Sequence, residues 1–182
     1  MRADKQQYDL ILFSLPVTNT SQGIGSFALT ENYLYTTEAI GEYLDHLRDD
    51  GYLVLITHND LEVLRLLIIT LSSFREKELS NAEAMKHLYV LGSKDYPVLV
   101  VGKQKINKEN AKVILKAAFN QPWFIPGSSY FPQTGFPFLN GMLLDIEGGR
   151  ATADDLIGEG EKRGYDLSPV TDKSPFFYKL EN

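Results

Sequence analysis

Short apolar runs alternate with amphipathic segments along the first hundred residues of the chain. Tyr8–Leu15 is a nearly continuous apolar run that ends at Pro16, and Tyr52–Thr57 is a second run of the same kind. Apolar runs without alternation are typical of strands that are covered on both faces, as in parallel sheets. We therefore predict that both runs are buried strands.

The segments that follow each run have the pattern of helices. Thr36 or Thr37 can cap a helix that runs to about Arg48, where Asp49–Gly51 would end it. Its apolar positions are Ile40, Leu44 and Leu47.

A second helix is predicted after the second strand. Asn59 and Glu62, three positions apart, match a capping box. The apolar positions then recur at helical spacing to about Ser73, which gives the helix one apolar side made of Leu61, Leu64, Ile68 and Leu71.

A hairpin is predicted next. His87–Leu91 and Tyr96–Gly102 are strand candidates, and the four residues between them, Gly92–Asp95, are typical of a hairpin loop. The two strands should therefore pair antiparallel. Asn107 is a candidate cap for another helix, which would run to about Phe119.

Beyond this point, from Gln121 to Gly149, the periodicity fades and glycine, proline and aromatic residues are dense. Short helices are predicted at about Phe138–Leu144 and Thr152–Lys162. The aromatic rings either line a ligand pocket or, as we favour, pack an irregular segment over a sheet edge. The tail Ser174–Tyr178 is expected to pin the C-terminus against the body; otherwise it is a surface for a partner.

This order of elements predicts an α/β domain. The sheet would be mostly parallel, with an antiparallel hairpin at one edge and helices on both faces. We divide the chain into a core, residues 1–120, and an irregular aromatic- and proline-rich extension, residues 121–182, packed on the core in the same domain.

Composition narrows the classes of function. The 182 residues are 43% hydrophobic and 23% charged, as in an ordinary globular domain. The net charge of −6 argues against binding to nucleic acid or to an anionic membrane surface. Cysteine is absent, which excludes disulfides and thiolate metal sites. The longest apolar stretch, Leu61–Leu71, is far shorter than the ~20 residues of a membrane span. We expect a cytoplasmic soluble domain without direct membrane contact.

Three segments carry a family resemblance: Tyr8–Ile11 (YDLI), Thr30–Leu55 and Asp166–Leu180. Together they resemble spermidine-synthase-like proteins of the class I methyltransferase fold, most of all the large bacterial members in which this domain follows a multi-pass membrane region. The resemblance implies the C-terminal half of a Rossmann-like methyltransferase sheet, with the Tyr8 strand as its fourth strand. It also implies that S-adenosylmethionine, or its decarboxylated form, binds a part of the parent protein upstream of Met1, and that upstream segments tether the domain to a membrane.

Departures from the family's pattern argue against aminopropyl transfer. Polyamine synthases carry acidic residues at the end of the fourth strand, one of which activates the attacking amine, and the matching positions here are Ser14 and Val17. Neither side chain can take a proton from an amine. The leading hypothesis is therefore a spermidine-synthase-like domain fragment without catalytic activity of its own.

Two alternatives stay open. In the first, the chain is part of an enzyme that transfers a methyl or aminopropyl group, with Pro16–Ala28 as the substrate lid. In the second, it is a protein-interaction module. A truncated sheet would expose the edge of the Tyr8 strand, and exposed edges tend to pair, so we expect a homodimer through this edge.

Candidate site residues lie after the first strand. Ser14, Thr18 and Asn19 are at its carboxyl end, where open α/β sheets bind ligands, although ordinary turn chemistry explains them too. Gly23 and Gly25 belong to a G-x-G-x-x-A segment. It neither follows a strand directly nor opens a helix, so we interpret it as a substrate-side loop rather than a dinucleotide turn.

His58 lies at the carboxyl end of the second strand and is a weak candidate for a general base. Its neighbours Asn59 and Asp60 are what a helix N-terminus prefers in any case. The other histidines, His46 and His87, show no metal-ligand spacing, so no metal site is expected. The carboxylates of residues 154–161 fit a solvated helix face.

Overall fold

The computed structural model describes residues 6–14, 32–91, 96–107 and 137–181. Several predictions fall outside these residues. They concern the loop 92–95, the helix proposed after Asn107, the aromatic segment 121–136, the position of Val17, and the site candidates Thr18, Asn19, Gly23 and Gly25.

The sheet contains β1 (Tyr8–Ser14), β2 (Leu47–Ile56), β3 (Leu88–Leu91) and β4 (Val98–Gly102). The strand order is β1-β2-β4-β3. β1 and β2 are parallel, whereas β4 is antiparallel to both β2 and β3. The antiparallel hairpin is thus confirmed, with its second strand inside and its first strand at the edge. Because only one of the three pairings is parallel, the described sheet is mixed rather than mostly parallel.

The described residues contain the helices α1 (Thr37–Asp45), α2 (Asp60–Glu76), the one-turn α3 (Asn81–Ala84), α4 (Pro137–Glu147) and α5 (Ala153–Glu161). Short 3-10 turns lie at Tyr33–Tyr35 and Met85–His87. Among the residues that the structure describes, none of the helices has the length and apolar character needed to cross a membrane.

Side-chain caps begin the helices where the sequence predicts them. The Thr36 hydroxyl accepts a hydrogen bond from the Ala39 amide, 3.1 Å away, at the start of α1. The Asn59 side chain accepts one from the Glu62 amide at 3.0 Å. Thr152 opens α5 with a complete capping box. These caps satisfy amides that lack partners within the helix.

The predicted end of α1 at Arg48 is wrong. The helix ends at Asp45, and Leu47 already belongs to β2, opposite Tyr8 of β1. The Tyr8 amide donates to the His46 carbonyl at 2.8 Å, which holds the chain in an extended course from this point. Asp49–Gly51 is therefore strand and not a helix stop. The register against β1 shifts between Leu47 and Tyr52, so this polar segment forms an irregularity within the strand instead of ending the helix.

The two faces of β1 and β2 differ. The inner face is buried, with Ile11 of β1 opposite Leu53 of β2, and Leu53 opposite Val101 of β4. α1 and α2 pack on this side and against each other, so closely that a Cβ added at Gly41 would lie 3.2 Å from the Ser73 hydroxyl.

On the outer face, Leu10 is 55% exposed, Leu12 54% and Tyr52 43%. The prediction that the Tyr8 strand is covered on both faces is therefore wrong, and the expected helices on both faces are not found in the described part of the chain. Its apolar run has no alternation because the outer positions are apolar as well.

The C-terminal region joins the same core. Leu143 and Ile146 of α4 and Leu156 of α5 are buried in it, together with Phe177 of the tail. The two short helices predicted for this region are thus confirmed. Phe177 is 1% exposed, which confirms that the tail packs against the body.

Candidate functional site

A cavity of about 360 Å³ lies beside the carboxyl-terminal half of β1. Its walls come from β1, the first 3-10 turn, α1 and the tail. We call it the β1 pocket, and its lining residues are Phe13, Tyr33, Leu34, Ala39, Glu42, Tyr43 and Asp172.

A row of aromatic rings extends from the β1 pocket to the tail. The ring of Phe13 lies 4.9 Å from that of Tyr43 and 6.3 Å from that of Tyr35. Tyr35 in turn lies 4.7 Å from Phe177, which packs edge-on against Tyr178 at 5.0 Å. The rings form a continuous row from the β1 pocket to the tail, and each contact adds to the burial of its neighbours.

Two carboxylates give the β1 pocket its charge. Asp172 accepts a hydrogen bond from the Thr36 hydroxyl at 2.7 Å, and its amide donates to Glu38 at 3.1 Å. Burial raises the pKa of the Tyr43 phenol to about 12, with smaller contributions from the negative charges of Glu42 and Asp172. Tyr43 is therefore a neutral hydroxyl, which donates to the Leu34 carbonyl at 3.1 Å. Acidic oxygens beside ring faces attract cations and repel anions.

A second polar cluster lies at the start of α2. Glu62 accepts hydrogen bonds from the His58 amide at 2.9 Å and from the Asn59 side chain at 3.0 Å, and the His58 ring nitrogen Nδ1 is 3.1 Å away. Burial raises the pKa of both Tyr35 and Tyr178, and the charge of Glu62 adds to each shift. His58, Asn59 and Glu62 already have hydrogen bonds to one another. The cluster therefore caps the start of α2, and no ligand is needed to account for it.

Asp60, in the first turn of α2, has a buried oxygen, Oδ1, without a hydrogen-bond partner. Burial raises the pKa of this carboxyl to about 6. Within the ranges that the structure describes, no three His, Asp or Glu side chains form a group that could hold a metal ion.

Of the predicted site residues, the structure describes Ser14 and His58. Ser14 is exposed at the end of β1, next to Phe13 of the β1 pocket but not part of its lining. His58 lies at the same edge of the sheet and is held by Glu62. His87 stacks near Phe74, with the rings 5.1 Å apart, at the start of β3.

Sequence reasoning missed the carboxylates of the β1 pocket. Glu42 was within a predicted helix of ordinary appearance, and Asp172 is 136 residues from its partner Thr36. A signal was present, because both lie in segments quoted for the family resemblance, Thr30–Leu55 and Asp166–Leu180. Nothing in the chain order shows that these segments meet in space.

The chain matches no protein-family model, and no curated protein is detectably similar to it in sequence. Two of the three segments that carry the resemblance contribute residues to the β1 pocket. Glu42 and Tyr43 belong to Thr30–Leu55 and Asp172 belongs to Asp166–Leu180, whereas Phe13 lies two residues beyond Tyr8–Ile11.

Proposed function

We propose that the chain is a spermidine-synthase-like domain fragment of a larger protein, without catalytic activity of its own, and that it binds an organic amine in the β1 pocket. The observation that carries the proposal is the pairing of two carboxylates, Glu42 and Asp172, with the rings of Phe13, Tyr33 and Tyr43 around one cavity. Ammonium groups are held by such a combination of charge and ring faces.

The charge of the surroundings favours an amine over a phosphate or a nucleotide. Helix N-termini are common anion sites, but here the N-terminus of α1 already has partners from the tail. The Thr37 amide donates to the Val170 carbonyl at 2.8 Å, and Asp172 accepts from Thr36. An anion entering the β1 pocket would also meet the carboxylates of Glu42 and Asp172, and like charges repel.

The absence of an acidic side chain at Ser14 supports the non-catalytic part of the proposal. By resemblance this position would carry the group that activates an attacking amine, and a serine hydroxyl cannot take that proton near neutral pH. The alternative is an enzyme that transfers a methyl or aminopropyl group, with the donor S-adenosylmethionine or its decarboxylated form bound by another part of the parent. The antiparallel hairpin with β4 inside is compatible with such a fold.

Calorimetric titration of the protein with spermidine tests the amine site. Glu42→Gln and Asp172→Asn each remove one negative charge and should weaken binding about three- to tenfold. Glu83→Gln is the matched control, since Glu83 is paired with Lys86 and Lys105 outside the β1 pocket. Absence of spermidine binding at millimolar concentration would refute the amine site. Tight binding of S-adenosylmethionine would refute the non-catalytic proposal.

A second function, self-association, is favoured by the position of β1. It is an edge strand of the described sheet, and its outer-face residues Leu10 and Leu12 are half-exposed. In an antiparallel pair of two β1 strands centred on Ile11, Leu10 of one copy faces Leu12 of the other, and Asp9 faces Phe13. Such a pair sets apolar residues opposite each other and keeps like charges apart. We propose a homodimer through β1, which a monomeric mass in light scattering at high micromolar concentration would refute.

A further inference from the structure

We infer that Arg65 is a positioning residue of the β1 pocket: from inside α2, its guanidinium latches the C-terminal tail, residues 165–181, and so places the Asp172 carboxylate at the pocket. The inference rests on the proposed amine site, and it adds a residue that does not line the cavity.

The Arg65 side chain, which extends from α2, is hydrogen-bonded to several positions along the tail. Its side chain is 4% exposed. The guanidinium donates to the carbonyl oxygens of Ser168 at 3.1 Å and Phe177 at 2.8 Å, and also to those of Phe176 and Lys179. Its remaining nitrogen lies 3.4 Å from the Asp166 carboxylate. Four backbone carbonyls thus depend on one side chain.

The tail has little regular structure that could replace this support. Its described β contacts are two isolated bridges, between Tyr165 and Glu181 and between Thr171 and Ser174. Buried carbonyls need hydrogen-bond donors, and in this tail the guanidinium supplies them from several directions.

The loop between the latched positions carries Asp172. Between Ser168 and Phe176 the tail passes over the N-terminus of α1, where the Val170 carbonyl accepts from the Thr37 amide at 2.8 Å and from its hydroxyl at 3.1 Å. The Pro175 carbonyl accepts from the Asn32 amide at 2.6 Å. Arg65 therefore fixes both ends of the loop, and the contacts at α1 fix its middle.

Arginine and lysine should differ at this position. Guanidinium presents five donors in a planar fork, whereas an ammonium group is a point charge with three. Lysine would keep the positive charge near Asp166, but it could not reach Ser168 and Phe177 from one place. Arg65→Lys should thus loosen the loop while preserving the charge of the site.

The test combines amide hydrogen exchange with spermidine titration of Arg65→Lys. We expect the amides of Thr37 and Asp172 to exchange about tenfold faster, since local opening costs less free energy. Spermidine affinity should fall about tenfold, because a carboxylate of the site is no longer held in place. Arg75→Lys is the matched control: Arg75 is on the same helix, exposed and paired with Asp154, and this variant should change neither quantity.

Three results would overturn the inference. Unchanged exchange at Thr37 and Asp172 in Arg65→Lys overturns the latch. Faster exchange with unchanged affinity overturns the link to the β1 pocket. Absence of spermidine binding by the wild-type protein refutes the amine site, and the inference falls with it whatever the exchange rates show. If Arg65→Lys does not fold, Asp166→Asn weakens the same latch from the tail side and should shift both quantities in the same direction, by less.

Discussion

The inner and outer faces of β1 and β2 carry the same kind of side chain in opposite surroundings. On the inner face Leu53 and Leu55 are fully buried beneath α1 and α2, whereas on the outer face Leu10 and Leu12 are more than half exposed. The exposure of the side chains alternates along Leu10–Phe13 of β1 and along residues 51–56 of β2. Apolar sequence therefore indicates where a strand lies, but it does not show which of its faces has a partner. An exposed apolar face of this kind is typical of an interaction surface.

The largest difference in stability between the two faces is expected when one leucine on each face is truncated. Leu55→Ala should lower the free energy of unfolding by about 3–5 kcal/mol, because it leaves a cavity in the core. Leu12→Ala is the matched control and should change it by less than about 0.5 kcal/mol, since the side chain is 54% exposed. Urea unfolding followed by circular dichroism measures both. Equal losses in the two variants would mean that the outer face is as well packed as the inner one.

Much of the fold could be predicted from the sequence because local chemistry decides it. The cap at Asn59 and the antiparallel hairpin follow from residue type and spacing alone. The end of α1 could not be predicted in this way. Leu47 fits the apolar side of the helix, and it joins β2 only because Tyr8, far away in sequence, offers a ladder partner.

The candidate site was less predictable than the fold. Ser14 and His58 are at the sheet edge where ligands bind in open α/β folds, and the sequence places them there correctly. The β1 pocket, however, depends on the meeting of Glu42 with Asp172, and that meeting depends on a tail held by Arg65. Contacts between segments more than a hundred residues apart leave no periodic trace in a single sequence.

A smaller effect is expected from the half-buried carboxyl of Asp60 at the start of α2. Burial raises the pKa of Asp60 from 3.8 to about 6, so the native state holds the proton more tightly than the unfolded chain. This difference in pKa stabilises the native state fully below pH 3.8, and the stabilisation is lost as the pH rises through about 6. Because solvent and the helix N-terminus screen the charge, we expect a loss of about 1 kcal/mol.

Asp60→Asn removes this titration and measures the loss. The free energy of unfolding of the variant minus that of the wild type should rise by about 1 kcal/mol between pH 4 and pH 7. Asp154→Asn is a suitable control, since Asp154 is exposed in the first turn of α5. A difference that stays constant with pH would show that Asp60 keeps an ordinary pKa.

The smallest effect on the stability of the monomer is expected on the outer face, where the effect on association should be clearest. Leu12→Lys replaces an exposed leucine and should change the free energy of unfolding by less than about 0.5 kcal/mol. In the proposed dimer it would place a lysine opposite Leu10 of the second copy, and charged residues on edge strands oppose pairing. Sedimentation at high micromolar concentration should therefore show a monomer for this variant and a dimer for the wild type. Leu144→Lys, an exposed leucine of α4, is the matched control and should remain dimeric. If both variants dissociate, the loss of the dimer is not specific to β1 and gives no support to an interface there. If Leu12→Lys stays dimeric, the dimer does not form through β1.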